Sequence, residues 1–62
     1  MKLKELLEVL DDDMLIFVFF ANDISQHYYA GRVSDARNEK LPGSVVKIEK
    51  NPSFKALNVI IW

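Results

Sequence analysis

Three consecutive carboxylates, Asp11–Asp13, and one histidine, His27, are the residues of this 62-residue chain whose types could do chemistry. Neighbouring carboxylates can carry out general acid–base catalysis or bind a divalent cation, and a histidine can act as a base or a metal ligand. The Ca²⁺-loop pattern needs a glycine and a distant glutamate in register, and the sequence supplies neither. A small enzyme or metal protein built on these residues is therefore a hypothesis without a supporting motif.

Other ingredients of a catalytic site are missing from the sequence. There is no cysteine, which excludes disulfide bonds, thiolate metal sites and a cysteine nucleophile. The serines lie where turns or helix caps account for them, and neither a G-x-S-x-G motif nor a glycine-rich phosphate loop occurs. We therefore predict a protein that is not an enzyme and that needs no cofactor or metal ion.

Two interpretations of the acidic run Asp11–Asp13 stay open. In the first, it is a solvated turn whose charges keep the apolar segment after it from pairing with other chains. In the second, it presents an acidic contact surface to a basic partner or a divalent ion. In either case, carboxylates at the end of a helix meet the negative pole of its dipole, which costs about a few tenths of a kcal/mol or more.

The elements that would position these residues begin with an amphipathic segment. Leucines recur at i, i+3, i+4 and i+7 over Leu3–Leu10 and predict a short helix with one apolar face. An isolated helix of two turns is unstable in water, so packing must hold it. The unbroken apolar row Met14–Phe20 predicts strand one, with apolar side chains on both faces because successive residues alternate.

Three further strands follow. Gln26–Val33 predicts strand two, joined to strand one as an antiparallel hairpin by a loop rich in turn residues. Ser34 is placed to cap a helical turn over Asp35–Lys40. The alternating segment Val45–Lys50 predicts strand three with one wet face, and Phe54–Trp62 predicts strand four.

The predicted fold is one α+β domain spanning residues 1–62. A short N-terminal helix packs on a four-stranded antiparallel sheet made of two hairpins. Gly31, inside strand two, indicates a bulge or a close approach of the backbone. The pattern does not decide which face of the sheet meets the helix.

Strands one and four are apolar on both sides, and one short helix has too little surface to cover them. A domain of this size hides only about 60% of the surface of its unfolded chain, and small scaffolds commonly gain stability by association. We therefore expect a partner, most simply a second copy, on part of one sheet face. The predicted homodimer interface consists of Phe17, Phe19, Tyr29, Ile60 and Trp62.

The charge pattern bears on nucleic-acid binding. The net charge is −1, which argues against a general nucleic-acid binder, although residues 1–13 sum to −3 and residues 32–55 sum to +3. An alternative function is a nucleic-acid-associated factor that uses His27, Tyr28, Arg32 and the basic second hairpin. Tyr28 and Tyr29 are expected on opposite faces, so they would not form one stacking platform.

The opening segment, Met1–Asp13, resembles that of small proteins encoded by phages and integrated elements of Gram-positive bacteria. The resemblance continues through Gly31–Val33, the Ser34-Asp35 connector and the Val-x-x-Ile strand at 45–48, whereas Phe17–Phe20 is more apolar than that group's alternating strands. No activity and no functional residue come with it. It implies a protein that occupies a host-protein surface, including inhibition of a bacterial defence system such as an anti-CRISPR role.

The sequence also predicts a compartment. Its beginning is a charged amphipathic pattern rather than a signal peptide, and its longest apolar run falls far below the roughly 18 residues that span a bilayer. Together with the lack of cysteine, this predicts a soluble protein of a reducing cytoplasm that does not insert into a membrane. The resemblance implies that this cytoplasm is that of a bacterial host cell.

Overall fold

A computed structural model describes all residues, 1–62, as a slab of 26 × 25 × 16 Å made of one sheet layer and one helix layer. Its elements, in chain order, are α1 (Leu3–Val9), β1 (Leu15–Phe20), β2 (Tyr29–Arg32), α2 (Val33–Ala36), β3 (Val45–Lys50) and β4 (Ala56–Ile61).

Helix α1 begins where the leucine spacing predicts it and ends at Val9, one residue before the predicted end at Leu10. At its start the backbone N–H of Lys2 donates to Glu5 Oε1 over 2.9 Å, which satisfies one of the free donors at a helix N-terminus. The leucine face is buried against the sheet, as predicted; its buried members are Leu3, Leu6 and Leu7.

The sheet is mixed, with strand order β2-β1-β4-β3. The outer pairs β1/β2 and β3/β4 are antiparallel, as the two predicted hairpins require. The central strands β1 and β4 run parallel, in register from Leu15 opposite Ala56 to Phe20 opposite Ile61. The prediction of a purely antiparallel sheet is therefore wrong at this pair. A crossover through α2 allows the parallel pairing and brings the two most apolar strands together in the sheet centre.

Tertiary packing also shifts the predicted boundaries of the middle segment. Strand β2 covers only Tyr29–Arg32, because Val33 leaves the sheet to begin α2. Val33 is fully buried and Ala36 is 1% exposed, so these two apolar side chains decide where the helical turn forms. Ser34 therefore lies inside α2 rather than capping it, and the predicted turn over Asp35–Lys40 starts two residues too late.

Glycines mark two close approaches in the structure. Gly43 has a φ of +101°, and a Cβ there would lie 2.8 Å from Cδ1 of Ile61. A Cβ at Gly31 would lie 2.8 Å from the hydroxyl oxygen of Tyr29. Of the two alternatives for Gly31, the structure shows the close approach, since the irregularity of the sheet lies between Val45 and Lys47 in β3.

The core lies between the sheet and the two helices. Ten of the 62 residues are buried, and all ten are apolar. Ile16 and Val18 of β1 and Val59 and Ile61 of β4 are fully buried beneath the helix layer. The side of the sheet that packs on α1 and α2, here called the covered face, thus takes the even positions of β1 and the odd positions of β4.

Candidate functional site

No helix of the chain packs over the opposite side of the sheet, where the rings of His27 and Phe54 pack on Phe17 and Ala56 is only 6% exposed. Because side chains alternate along each strand, the strand register assigns to this side the odd positions of β1, the even positions of β4 and their neighbours on the edge strands. We call this surface the open face. Its members are Leu15, Phe17, Phe19, Ala30, Arg32, Lys47, Glu49, Ala56, Asn58 and Ile60.

The centre of the open face is apolar and only partly sheltered from water. Leu15 is 40% exposed, and Phe17, Phe19 and Ile60 are half-buried. Their neighbour on the covered face, Ile16, is fully buried. The open face therefore holds apolar area whose burial the single chain leaves incomplete.

Two loops add aromatic rings beside the open face. The ring centroid of Phe17 lies 5.8 Å from that of His27 and 5.9 Å from that of Phe54, with tilted planes at 58° and 41°. Such separations and tilts are favourable for aromatic pairs. Phe54 is 61% exposed, so the cluster remains accessible. The only histidine of the chain thus packs on an apolar strand.

The turn before β4 explains how Phe54 reaches this place. Oδ1 of Asn51 accepts hydrogen bonds from the backbone N–H groups of Ser53 at 2.8 Å and of Phe54 at 3.1 Å. Nδ2 of Asn51 donates to Oδ1 of Asn58 at 3.0 Å. Asn51 therefore shapes the turn, and it also donates a hydrogen bond to the side-chain oxygen of Asn58, the polar residue in the centre of the open face. Sequence reasoning missed Phe54 as a surface aromatic, although an Asn-Pro turn before it was the available signal.

Charged side chains lie at the two edges of the open face. Arg32 belongs to edge strand β2, and on edge strand β3 the Nζ of Lys47 lies 2.6 Å from Oε1 of Glu49. The hydrogen bond and charge of Glu49 raise the pKa of Lys47, against a smaller opposing effect of desolvation. An apolar centre between charged edges is the usual anatomy of a protein–protein interface.

The structure brings together part of the predicted interface. Phe17, Phe19 and Ile60 share the open face, and Trp62, 70% exposed, follows β4 on the same parity. Tyr29 lies elsewhere, because it pairs with Val18 and packs against the core on the covered face. Its partial burial is the main cause of a raised pKa, and the charges of Glu39 and Asp35 add to the shift.

The acidic run has a structural partner that the sequence did not reveal. Asp12 forms an ion pair with Arg37, whose guanidinium also donates to the carbonyl oxygens of Leu7 and Leu10, each at 2.8 Å. Arg37 thereby places positive charge and donors at the C-terminus of α1, where a helix has free acceptors. Asp11 and Asp13 are exposed. This geometry is compatible with both interpretations of the acidic run, so the solvated turn and the contact surface both stay predictions.

The remaining polar groups do not assemble a recognisable catalytic set. The Ser25 hydroxyl donates to Oδ1 of Asp23 at 2.6 Å within one exposed turn, rather than to His27. No group of three or more histidine, aspartate or glutamate side chains is placed to hold a metal ion. A groove of about 510 Å³ lies between α1 and α2; its walls are Lys4, Leu7, Glu8, Ala36, Arg37, Lys40 and Leu41.

Two further findings bear on the identity of the chain. None of its helices has the length and apolar character needed to cross a membrane. Comparison with protein-family models, with curated proteins and with solved structures finds no match for this chain.

Proposed function

We propose that this protein is a non-enzymatic interaction module that acts by binding another protein through the open face. The observation that carries the proposal is the contrast within β1, where Ile16 is fully buried and its neighbour Leu15 is 40% exposed. Contiguous exposed apolar surface on a small protein usually marks an interaction site. Binding a protein there would complete the burial of Phe17, Phe19 and Ile60.

The composition of the surface supports the same function. Phenylalanines stand at the centre of the open face, with His27 and Phe54 packed beside them. Interface centres are enriched in aromatic residues and depleted of charge, while their edges are polar. The charges of Arg32, Lys47 and Glu49 lie on the two edge strands, which fits this arrangement.

The resemblance to phage-encoded proteins extends the proposal to a target. We propose a host protein of the bacterial cytoplasm, including a component of a bacterial defence system, as a partner of this surface. This extension rests on the resemblance alone, and the acidic run Asp11–Asp13 would add contacts if that partner were basic.

Two matched substitutions test the proposal. Leu15→Lys places a charge on the open face, whereas Ile48→Lys places one on β3 at a residue with nearly equal exposure, 40% against 43%, on the other side of the sheet. Each variant and the wild type serve as bait in a lysate of a Gram-positive bacterium, after circular dichroism has verified folding. We expect Leu15→Lys to lose the captured proteins and Ile48→Lys to keep them. Equal capture by all three baits contradicts the proposal.

A second candidate function is binding of single-stranded nucleic acid. The aromatic cluster of Phe17, His27 and Phe54 beside Arg32 and Lys47 favours it, because open sheets with exposed rings can stack bases while cations contact phosphates. Fluorescence anisotropy of a labelled oligonucleotide across salt concentrations decides the matter. Affinity that falls steeply with salt supports this candidate, and absence of binding at low salt removes it.

A further inference from the structure

We infer that the open face binds a second copy of this chain, packed sheet to sheet about a two-fold axis that runs parallel to β1 and β4. This inference rests on the proposed function in that it uses the same open face, for which a second copy and a host protein would compete. The assembly has four layers, in the order helix, sheet, sheet, helix. The two sheets would be separated by about 10 Å, the usual spacing of stacked sheets.

The sizes of the side chains in the two central strands select the axis. Because β1 and β4 are parallel and in register, a two-fold axis parallel to them lays β1 of one copy over β4 of the other with matching levels. The side chains of β1 on the open face are large, and two of the three on β4 are smaller. The facing pairs are Leu15 with Ala56, Phe17 with Asn58 and Phe19 with Ile60.

An axis across the strands would give poorer packing. It would set β1 against β1, with phenylalanines facing phenylalanines, and β4 against β4, with the smaller Asn58 leaving space between the sheets. Protein interiors tolerate few voids of that kind. Ala56 is 6% exposed in the single chain and adds little to the contact in either arrangement. The twist between packed sheets displaces facing residues least near the axis, which here passes between the two central strands.

Charges at the edges agree with the same axis. It lays strand β2 of each copy over β3 of the other. Arg32 stands at the level of Leu15, and Glu49 stands at the level of Phe17, one side-chain row away. Each interface would therefore contain two Arg32–Glu49 contacts between opposite charges, whereas an axis across the strands would bring Arg32 near its own copy.

The area of the face suffices for a dimer. The whole molecule measures 26 × 25 Å in its two longer directions, a flat outline of about 650 Å² that includes the loops around the open face. Mutual coverage of that full outline would bury about 1,300 Å² in total, near the lower end of the range of about 1,200–2,000 Å² for stable specific interfaces. Only ten residues are buried in the single chain, so this area is a large addition to its burial.

Sedimentation equilibrium from about 10 μM to about 1 mM tests the partner. The wild type is expected near the chain mass of 7.2 kDa at the lowest concentration and to approach twice that mass at the highest. Leu15→Lys buries two unpaired charges in each dimer and should raise the dissociation constant by about 100-fold or more. Ile48→Lys is the matched control and should change it by less than about twofold.

A charge-reversal experiment tests the orientation. Arg32→Glu and Glu49→Arg each turn both edge contacts repulsive, and we expect each variant alone to dimerise about tenfold more weakly. A mixture of the two variants restores two attractive contacts in the mixed dimer, so association should recover towards the wild-type value. Thermal melts of each variant verify that the fold survives loss of the Lys47–Glu49 pair.

The outcomes separate the inference from the proposed function. A wild type that stays monomeric at about 1 mM overturns the inference, while Leu15-dependent capture of another protein would leave the proposed function standing. A wild-type dimer that Leu15→Lys does not weaken places the interface elsewhere and overturns the inference. If association does not recover in the mixture of the Arg32→Glu and Glu49→Arg variants, the proposed axis is wrong. Binding of an oligonucleotide by a wild-type monomer also overturns the inference.

Discussion

The two faces of the central sheet carry similar side chains and have different surroundings. In β1, Ile16 and Val18 of the covered face are fully buried, whereas Leu15, Phe17 and Phe19 of the open face keep contact with water. The strand itself is equally apolar on both sides, so hydrophobicity does not distinguish them. The difference lies in the cover, because α1 and α2 both lie on one side. The apolar residues of such a strand therefore indicate how much apolar surface needs cover. The topology of the chain decides which face of the strand the helices cover.

Neighbouring alanine substitutions in β1 should separate the two faces most strongly. Ile16→Ala opens a cavity in the core and should lower the free energy of unfolding by about 3–4 kcal/mol. Leu15→Ala, one residue away, should lower it by less than about 1 kcal/mol in the dilute monomer. Urea unfolding at low protein concentration measures both values. Equal losses would mean that the two faces are not differently covered.

The close approach of Gly43 to Ile61 on the covered face gives the next largest expected effect on the free energy of unfolding. Gly43→Ala forces an L side chain into a φ of +101° with its Cβ 2.8 Å from Ile61, and it should lower the free energy of unfolding by about 1–3 kcal/mol. Gly31→Ala is the control, because the φ of Gly31 is not positive and its Cβ meets the far end of the partly exposed Tyr29 side chain. We expect a loss for Gly31→Ala under about 1 kcal/mol. A larger loss at Gly31 than at Gly43 would contradict the packing described here.

The attachment of the helix layer to the acidic turn through Arg37 should contribute less to the free energy of unfolding than the two features above. Arg37→Ala removes the donors to Leu7 and Leu10 and the ion pair with Asp12, which should lower the free energy of unfolding by about 1–2 kcal/mol. Asp13→Asn removes an exposed charge and should change it by less than about 0.5 kcal/mol. Thermal melts compare the stability of the two variants. If Asp13→Asn lowers stability as much as Arg37→Ala does, Arg37 is not the residue that anchors the helix layer.

The smallest predicted effect concerns Tyr29 and alkaline pH. Its pKa is raised in the folded chain, so the unfolded chain releases this proton first, and stability falls as pH rises from about 10 through the folded pKa. Below that window the contribution is fully present. Tyr29→Phe should remove this part of the alkaline loss, measured as unfolding midpoints between pH 8 and 11.

Tyr28→Phe is the matched control for that experiment. It keeps the ring whose centroid lies 4.7 Å from that of Phe20 and removes a more exposed hydroxyl. We expect it to retain the alkaline loss of the wild type. If the two variants behave alike, Tyr29 is not the group responsible.

Local periodicity accounts for the parts of the fold that the sequence could predict. The leucine spacing located α1, and alternation located β3 at Val45–Lys50 without error. Periodicity also placed Phe17, Phe19 and Ile60 on strands, but it says nothing about which strands are neighbours. The parallel pairing of β1 with β4 depends on the crossover, so the shared face of these three residues emerged only from the fold.

Other features had no local signal at all. Arg37 and Asp12 are 25 residues apart, and nothing near either residue indicates that they meet. Tyr29 stands on the covered face because β2 starts there in register with Val18, a pairing that strand alternation alone leaves undecided. The early start of α2 depends on the burial of Val33, which overrides the capping preference of Ser34.

Methyl NMR with a soluble paramagnetic relaxation agent tests the central claim most directly. Spectra recorded at about 10 μM and about 1 mM compare Leu15 and Ile60 of the open face with Ile48 and Val46 of β3, which are 43% and 59% exposed. We predict that the agent broadens all four at low concentration and that Leu15 and Ile60 alone become protected at high concentration. Equal broadening of Leu15 and Ile60 at both concentrations would contradict an open face that binds a second copy.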